Sequence, residues 1–123
     1  MDLYQQELMD HYRYPRNRGV LDTCDIATES LNPSCGDSVS FTINITDDKV
    51  IAIKFQGSGC VISQATSSML TERCIDKTLD ELAALNKDAI LALVGIPLGP
   101  TRLRCALLSL EALHKGIHEY RTR

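Results

Sequence analysis

The 123-residue sequence has no excess of basic residues: 13 Lys and Arg stand against 16 Asp and Glu, for a formal net charge of -3. A mildly acidic chain has no bulk positive field to draw it onto nucleic acid or an anionic membrane, so neither is expected as a partner. A long apolar run is missing too. The most apolar stretch, Ala89 to Leu98, falls well short of the ~20 residues that a membrane span needs. The start, Met1-Asp2-Leu3-Tyr4-Gln5-Gln6-Glu7, lacks the basic and then apolar segments of a secretion signal. Tryptophan is absent, and there is no internal repeat, low-complexity run or linker. At this length one domain, residues 1–123, with a core of its own is expected. It would belong to a soluble, cytoplasmic protein.

What is present reads as mixed structure. Tyr4, Leu8 and Tyr12 repeat at helical spacing, predicting a helix over residues 2 to 14 that Pro15 ends. Val39, Phe41, Ile43 and Ile45 then alternate with polar residues, and Ile51, Ile53 and Phe55 do so after Asp47-Asp48-Lys49. Two alternating runs across a tight polar turn predict a hairpin, and residues 24 to 31 a weaker third strand. From Cys60 the period becomes helical, with Ile62, Ala65 and Met69 on one face. "TLDE" at 78–81 fits a capping box. A short helix is expected from Lys87 to Val94, a loop over "GIPLGP", and a final helix from Arg102 to about Tyr120. The last carries a continuous apolar stripe through Leu103, Ala106, Leu107, Leu110, Leu113, His114 and Ile117. The fold class is therefore α+β: a small antiparallel three-stranded sheet with helices packed on one side.

Five cysteines is an odd number, and they are spread along a chain with no export signal, so a disulfide framework is not expected. Three sit where chemistry is easiest. Cys35 lies in the polar loop "NPSCGDS", two residues before Asp37. Cys60 closes "QGSGC" at the mouth of a helix, where exposed amides and the helix dipole favour a thiolate. Cys105 lies in the first turn of the last helix. At ~100° per residue it falls ~200° from both Leu103 and Leu107, off the apolar stripe, although Leu108 and Ala112 share its face. Cys24 and Cys74 have neither a glycine-rich mouth nor a helix start and read as structural or incidental. His114 and His118 stand at i, i+4, but no HExxH-type carboxylate accompanies them, and they and His11 read as packing or solvated residues. Three thiolates and the Asp37 carboxylate would suit tetrahedral zinc or one edge of an iron–sulfur cluster. No compact CxxC pair is present, so such a site needs the fold to bring three separate loops together.

Four segments, "DHYRYPRNRGVL", "NPSCGDS", "GSGCVISQATSSML" and "TRLRCALLSLEALHKG", together resemble the U-type iron–sulfur cluster assembly scaffolds. These are the Isc-type and Suf-type scaffold proteins and the N-terminal domain of nitrogenase NifU. The resemblance runs from about residue 3 to residue 118. It implies a NifU N-terminal and SufE-like sandwich on which a transient [2Fe-2S] cluster is built. Sulfur would arrive as persulfide from a cysteine desulfurase, and the cluster would pass to apo iron–sulfur client proteins. It also implies that Cys35, Asp37, Cys60 and Cys105 hold the iron or cluster, or zinc in the same site. Isc-type members carry histidine where this chain has Arg104, which cannot ligate a metal because it stays protonated. The ligand set is then that of Suf-type members, whose insertion between the second and third cysteines is absent here. The Isc-type Leu-Pro-Pro-Val-Lys motif is replaced by "IPLGPTRLR", so docking of an Hsp70-type chaperone is not carried over.

From these residues Cys105, flanked by Arg102 and Arg104, is the expected persulfide acceptor. The chain would be a non-enzymatic scaffold. The competing reading is a zinc-dependent sulfur-transfer protein that relays persulfide and activates a cysteine desulfurase, a sulfurtransferase in that case. A third is a structural zinc module, which would unfold on chelation.

Overall fold

The computed structural model describes residues 2–34 and 36–123. The element order is α1 (Leu3–Arg13), β1 (Ile26–Asn32), β2 (Asp37–Thr46), β3 (Lys49–Ser58), α2 (Val61–Cys74), α3 (Leu79–Ala83), α4 (Lys87–Val94) and α5 (Pro100–Arg121). The three strands form one antiparallel sheet in the order β1-β2-β3. The expected fold class is the one observed. None of the described helices is long and apolar enough to cross a membrane.

Local chemistry sets the boundaries. The Asp2 side chain accepts the Gln5 N–H and the Gln5 side chain accepts the Asp2 N–H, so α1 opens on a reciprocal cap. Thr78 and Glu81 make the same cap on α3. The hairpin turns at Asp47 and Asp48, both with positive φ, between the paired residues Thr46 and Lys49. A two-residue turn of that hand matches the twist of the flanking strands.

The β3 pattern differs from strict alternation. Ile45 pairs with Val50 and Asn44 with Ala52, so Ile51 is an extra residue at a bulge. The extra residue moves the pattern by one place: Val50 is buried, whereas Ile51 is 54% exposed. The last helix also begins earlier than expected. Pro100 occupies its first turn, where a missing N–H costs nothing, so "GIPLGP" is a loop only as far as Gly99.

The core lies between the sheet and the helices. Val39, Phe41, Ile43, Ile53 and Phe55 point from the sheet into it. α5 packs on β1 and β2, and α2 packs on β3, α5 and α1. α2 is buried around most of its circumference although it is rich in serine and threonine. Ser67 and Thr71 meet that cost by donating their hydroxyls to the carbonyls of Ser63 and Ser68, at 2.7 and 2.6 Å. α5 approaches β1 closely at Gly116, where a Cβ would stand 2.7 Å from an Ile26 methyl and 2.9 Å from that of Thr28. Thr28 ties the pair by donating its hydroxyl to the Ala112 carbonyl at 2.9 Å.

Candidate metal centre

Three elements begin at one end of the sheet. β2 starts at Asp37, α2 starts just after Cys60, and the second turn of α5 carries Cys105. One ligand atom each from Asp37, Cys60 and Cys105 can be taken so that all lie within 4.8 Å of one another. Cys35 lies outside the described residues. The fold thus brings together three of the four residues expected to share a site.

Asp37 is the buried anchor, 2% exposed. Its Oδ1 accepts the Cys60 N–H at 3.0 Å, and the Cys60 thiol lies 3.5 Å from its Oδ2. Gly59 makes this possible. Its φ is +140°, and a Cβ there would stand 2.0 Å from Asp37 Oδ1 and 2.5 Å from its Cγ. Gly59 thereby admits the Asp37 carboxylate to the start of α2.

Cys60 is the N-cap of α2 and is exposed. Its sulfur takes the place that a serine or aspartate oxygen usually fills, accepting the Ser63 N–H at 3.5 Å. The Ser63 hydroxyl donates to the Cys60 carbonyl at 3.1 Å. Sequence reasoning passed over Ser63, yet its position three residues after an N-cap was the available signal.

Cys105 differs from expectation. It is 4% exposed and belongs to the core, together with Leu108 and Ala112 on the same face. α5 is covered on two sides, by the sheet and by α2, so a residue off the predicted stripe is still inside. Because α5 starts at Pro100, Cys105 sits in the second turn, beyond the reach of the helix N-terminus. Burial pushes its thiol pKa well above the ordinary range, and hydrogen bonding to Asp37 and Cys60 and their negative charge push the same way. Arg102 and Arg104 are exposed and have no part in this shift. An exposed, arginine-stabilised Cys105 is therefore not what the fold provides.

The remaining described cysteines and histidines lie outside this group. Cys74 is buried, and burial raises its thiol pKa to about 12, leaving it an inert small hydrophobe. Cys24 is exposed and is not part of the group. His114 donates its Nε2–H to the Leu82 carbonyl at 3.0 Å, and His118 is exposed. His11 is buried against Ser68, its Nδ1 2.7 Å from the hydroxyl.

The donor set fits a soft or borderline cation. Tetrahedral bonds of about 2.3 Å to sulfur place neighbouring ligands about 3.5–3.8 Å apart, close to the observed Asp37–Cys60 separation of 3.5 Å. Three acidic groups packed so tightly repel one another when ionised, and a divalent cation removes that repulsion.

Comparison with known proteins follows this geometry. The family model described as the NifU-like N-terminal domain matches residues 3–123. A protein named zinc-dependent sulfurtransferase SufU, from Bacillus subtilis, is 37% identical over 94% of this chain and 89% of its own length. A protein named iron-sulfur cluster assembly scaffold protein IscU 1, from Archaeoglobus fulgidus, is 36% identical over 96% of this chain and 76% of its own. The crystal structure of a nitrogen-fixing NifU-like protein (N-terminal) from Brucella abortus shares the fold. Its TM-score is 0.80, with 22% identity over 98% of this chain and 96% of that one.

Proposed function

The chain belongs to the NifU-like N-terminal domain family, and on that premise we propose that it is a scaffold for the assembly and transfer of [2Fe-2S] clusters. Residues 1–123 act as one scaffold domain, with a cysteine desulfurase and apo iron–sulfur proteins as partners. The observation that carries the reading is the convergence of Asp37, Cys60 and Cys105 within 4.8 Å. Cys35, two residues before Asp37 in sequence, supplies the fourth ligand. Two irons and two sulfides are the cargo, and four protein ligands are what such a cluster takes. Asp37 contributes a hard oxygen among soft sulfurs, so one iron is held less firmly and the cluster can leave.

Sulfur enters through a thiol with access, and of the described pair that thiol is Cys60. The Cys60 thiolate attacks the outer sulfur of the desulfurase persulfide. The S–S bond breaks, the partner's cysteine leaves as thiolate, and Cys60 carries the new persulfide. Cys105 was the expected acceptor; buried beside Asp37, it serves better as a ligand. Trapping after reaction with a desulfurase tests this: Cys60→Ser should lose the added sulfur and Cys105→Ser should keep it.

The Suf-like ligand set and the 37% identity to a zinc-dependent sulfurtransferase favour a second reading, a zinc-loaded persulfide relay that activates the desulfurase. Anaerobic reconstitution with iron, sulfide and reductant separates the two. About two irons per chain with stable visible charge-transfer absorption supports the scaffold. Retained zinc, no cluster and stimulation of the desulfurase supports the relay.

A further inference from the structure

A polar pocket opens next to the metal centre, bordered by Gly57, Ser58 and Gly59 of "QGSGC". It encloses about 200 Å³, and its lining includes Tyr12, Arg18, Gly57, Ser58, Gly59 and Gln64. None of these is a proposed ligand, although Gly59 directly precedes Cys60. Three groups in it have unused hydrogen-bonding capacity.

Gln64 forms the inner wall and is 7% exposed. Its Nε2 donates to the Ser63 hydroxyl at 3.3 Å, and that hydroxyl donates onward to the Cys60 carbonyl at 3.1 Å. The chain of donors fixes the amide's orientation, because Ser63 has no proton left for Gln64. Gln64 Oε1 is therefore an acceptor, and it is buried with no donor among the described residues. A buried acceptor left unmet keeps its desolvation cost uncompensated, so it is a place where a donor is wanted.

Arg18 supplies the opposite need. Its backbone pairs in parallel with Phe55, which fixes where the side chain leaves the sheet edge. Among the described residues its guanidinium makes no hydrogen bond or ion pair. The sheet edge adds the third group. Phe55 gives its N–H to the Asn17 carbonyl and accepts the Gly19 N–H, both at 2.9 Å. Strand backbone groups alternate in direction, so the next N–H and C=O of β3 facing outward are those of Gly57, which no neighbouring segment among the described residues takes up.

We propose that this pocket binds a monoanionic amide-linked carboxylate. The carboxylate is clamped by Arg18, and the adjacent amide N–H is given to Gln64 Oε1. The guanidinium fork matches a carboxylate. Arg18 carries the only charge in the lining, so an ammonium would be repelled and the donor has to be a neutral N–H. The volume is below the ~300 Å³ at which pockets for whole small molecules begin. It holds one or two residues' worth of atoms, the size of an N-acyl amino acid or the end of a polypeptide. The proposal stands apart from the metal centre, and its failure would leave the scaffold reading where it is.

The test is an amide NMR titration of the isotope-labelled chain with N-acetylglycine, N-acetylglycinamide, acetate and acetyl-triglycine. N-acetylglycine should shift the Gly57, Ser58 and Gly59 amides and the Gln64 side-chain amide saturably. The uncharged amide, and N-acetylglycine on Arg18→Gln, should bind about tenfold more weakly or less. Acetate, which lacks the N–H, should also be weaker, and Gln64→Leu should bind acetate and N-acetylglycine alike. Tighter binding of acetyl-triglycine assigns the pocket to a polypeptide end, and equal binding to a small acid. The proposal is overturned if acid and amide bind equally, if Arg18→Gln changes nothing, or if acetate matches N-acetylglycine. The acetate comparison needs only the wild-type chain, so a misfolded Gln64→Leu would not shield it.

Discussion

Gly59→Ala is the substitution that most directly probes how the centre is held. The new Cβ would lie 2.0 Å from Asp37 Oδ1, 2.5 Å from Cγ and 2.9 Å from Cβ. Overlap along the whole side chain cannot be relieved by rotating its tip, so Asp37 has to withdraw. Two costs follow. A side chain at φ +140° strains the backbone by about 1–3 kcal/mol. Withdrawal also breaks the Asp37–Cys60 N–H bond of 3.0 Å, a charge-assisted contact worth about 1.5–3 kcal/mol. The total, about 2.5–6 kcal/mol, is a large part of the about 5–15 kcal/mol that holds a domain folded. Urea unfolding should show it as a lower midpoint at unchanged slope. Competition with a zinc chelator should show weaker metal binding.

A double-mutant cycle isolates the contact. In an Asp37→Ala background there is no carboxylate to displace and only the 2.9 Å approach to the residue-37 Cβ remains, so Gly59→Ala should cost little more than the backbone strain of about 1–3 kcal/mol. Equal costs in the two backgrounds would refute the account of Gly59 as the cradle of Asp37. A wild-type midpoint in Gly59→Ala alone would refute it more bluntly.

Two further outcomes follow from the packing. Gly116→Ala should push α5 off β1, since its Cβ would meet Ile26 and Thr28 at 2.7 and 2.9 Å; a loss of about 1–3 kcal/mol in urea unfolding is expected. His11 should make stability fall on acidification. Its pKa lies below the ordinary 6.5, chiefly through burial and then through the charge of Arg16; Glu72, Glu7 and Asp10 pull weakly the other way. The neutral ring is satisfied, with Ser68 at Nδ1 and Glu72 3.3 Å from Nε2. The unfolded chain therefore takes up a proton first, and this contribution is complete above pH ~6.5 and lost as pH falls towards the folded value. The melting temperature of His11→Gln should fall less than that of the wild type between about pH 7.5 and about 5.5; parallel curves would sink the assignment.

Much of this molecule was legible in one dimension because its signals are local. Alternation marked the strands, the capping box marked α3, and Cys60 after "QGSG" marked the start of α2; each depends on residues within a few places of one another. The two boundary differences also have local causes, Pro100 opening α5 and the bulge at Ile51 exchanging Val50 for Ile51 in the core. What the sequence alone offered for the site was a candidate cast, Cys35, Asp37, Cys60 and Cys105, from residue type, loop position and family resemblance; of these the fold brings Asp37, Cys60 and Cys105 together.

The environment of each member was decided by tertiary structure. Cys105 looked exposed because a helical wheel assumes one buried face, whereas α5 is covered by the sheet on one side and α2 on the other. Its thiol is pushed up by burial and by Asp37 and Cys60, groups far away in the chain that the fold delivers to within a few ångströms. Gly59 stood in view within the glycine-rich "QGSGC", but its partner Asp37 did not show, because the two meet only when β2 and β3 pair. The capacity left open on Gln64, Arg18 and Gly57 is equally invisible in sequence. Whether a polar group is satisfied depends on which neighbours folding brings to it, and that is a property of the packed chain.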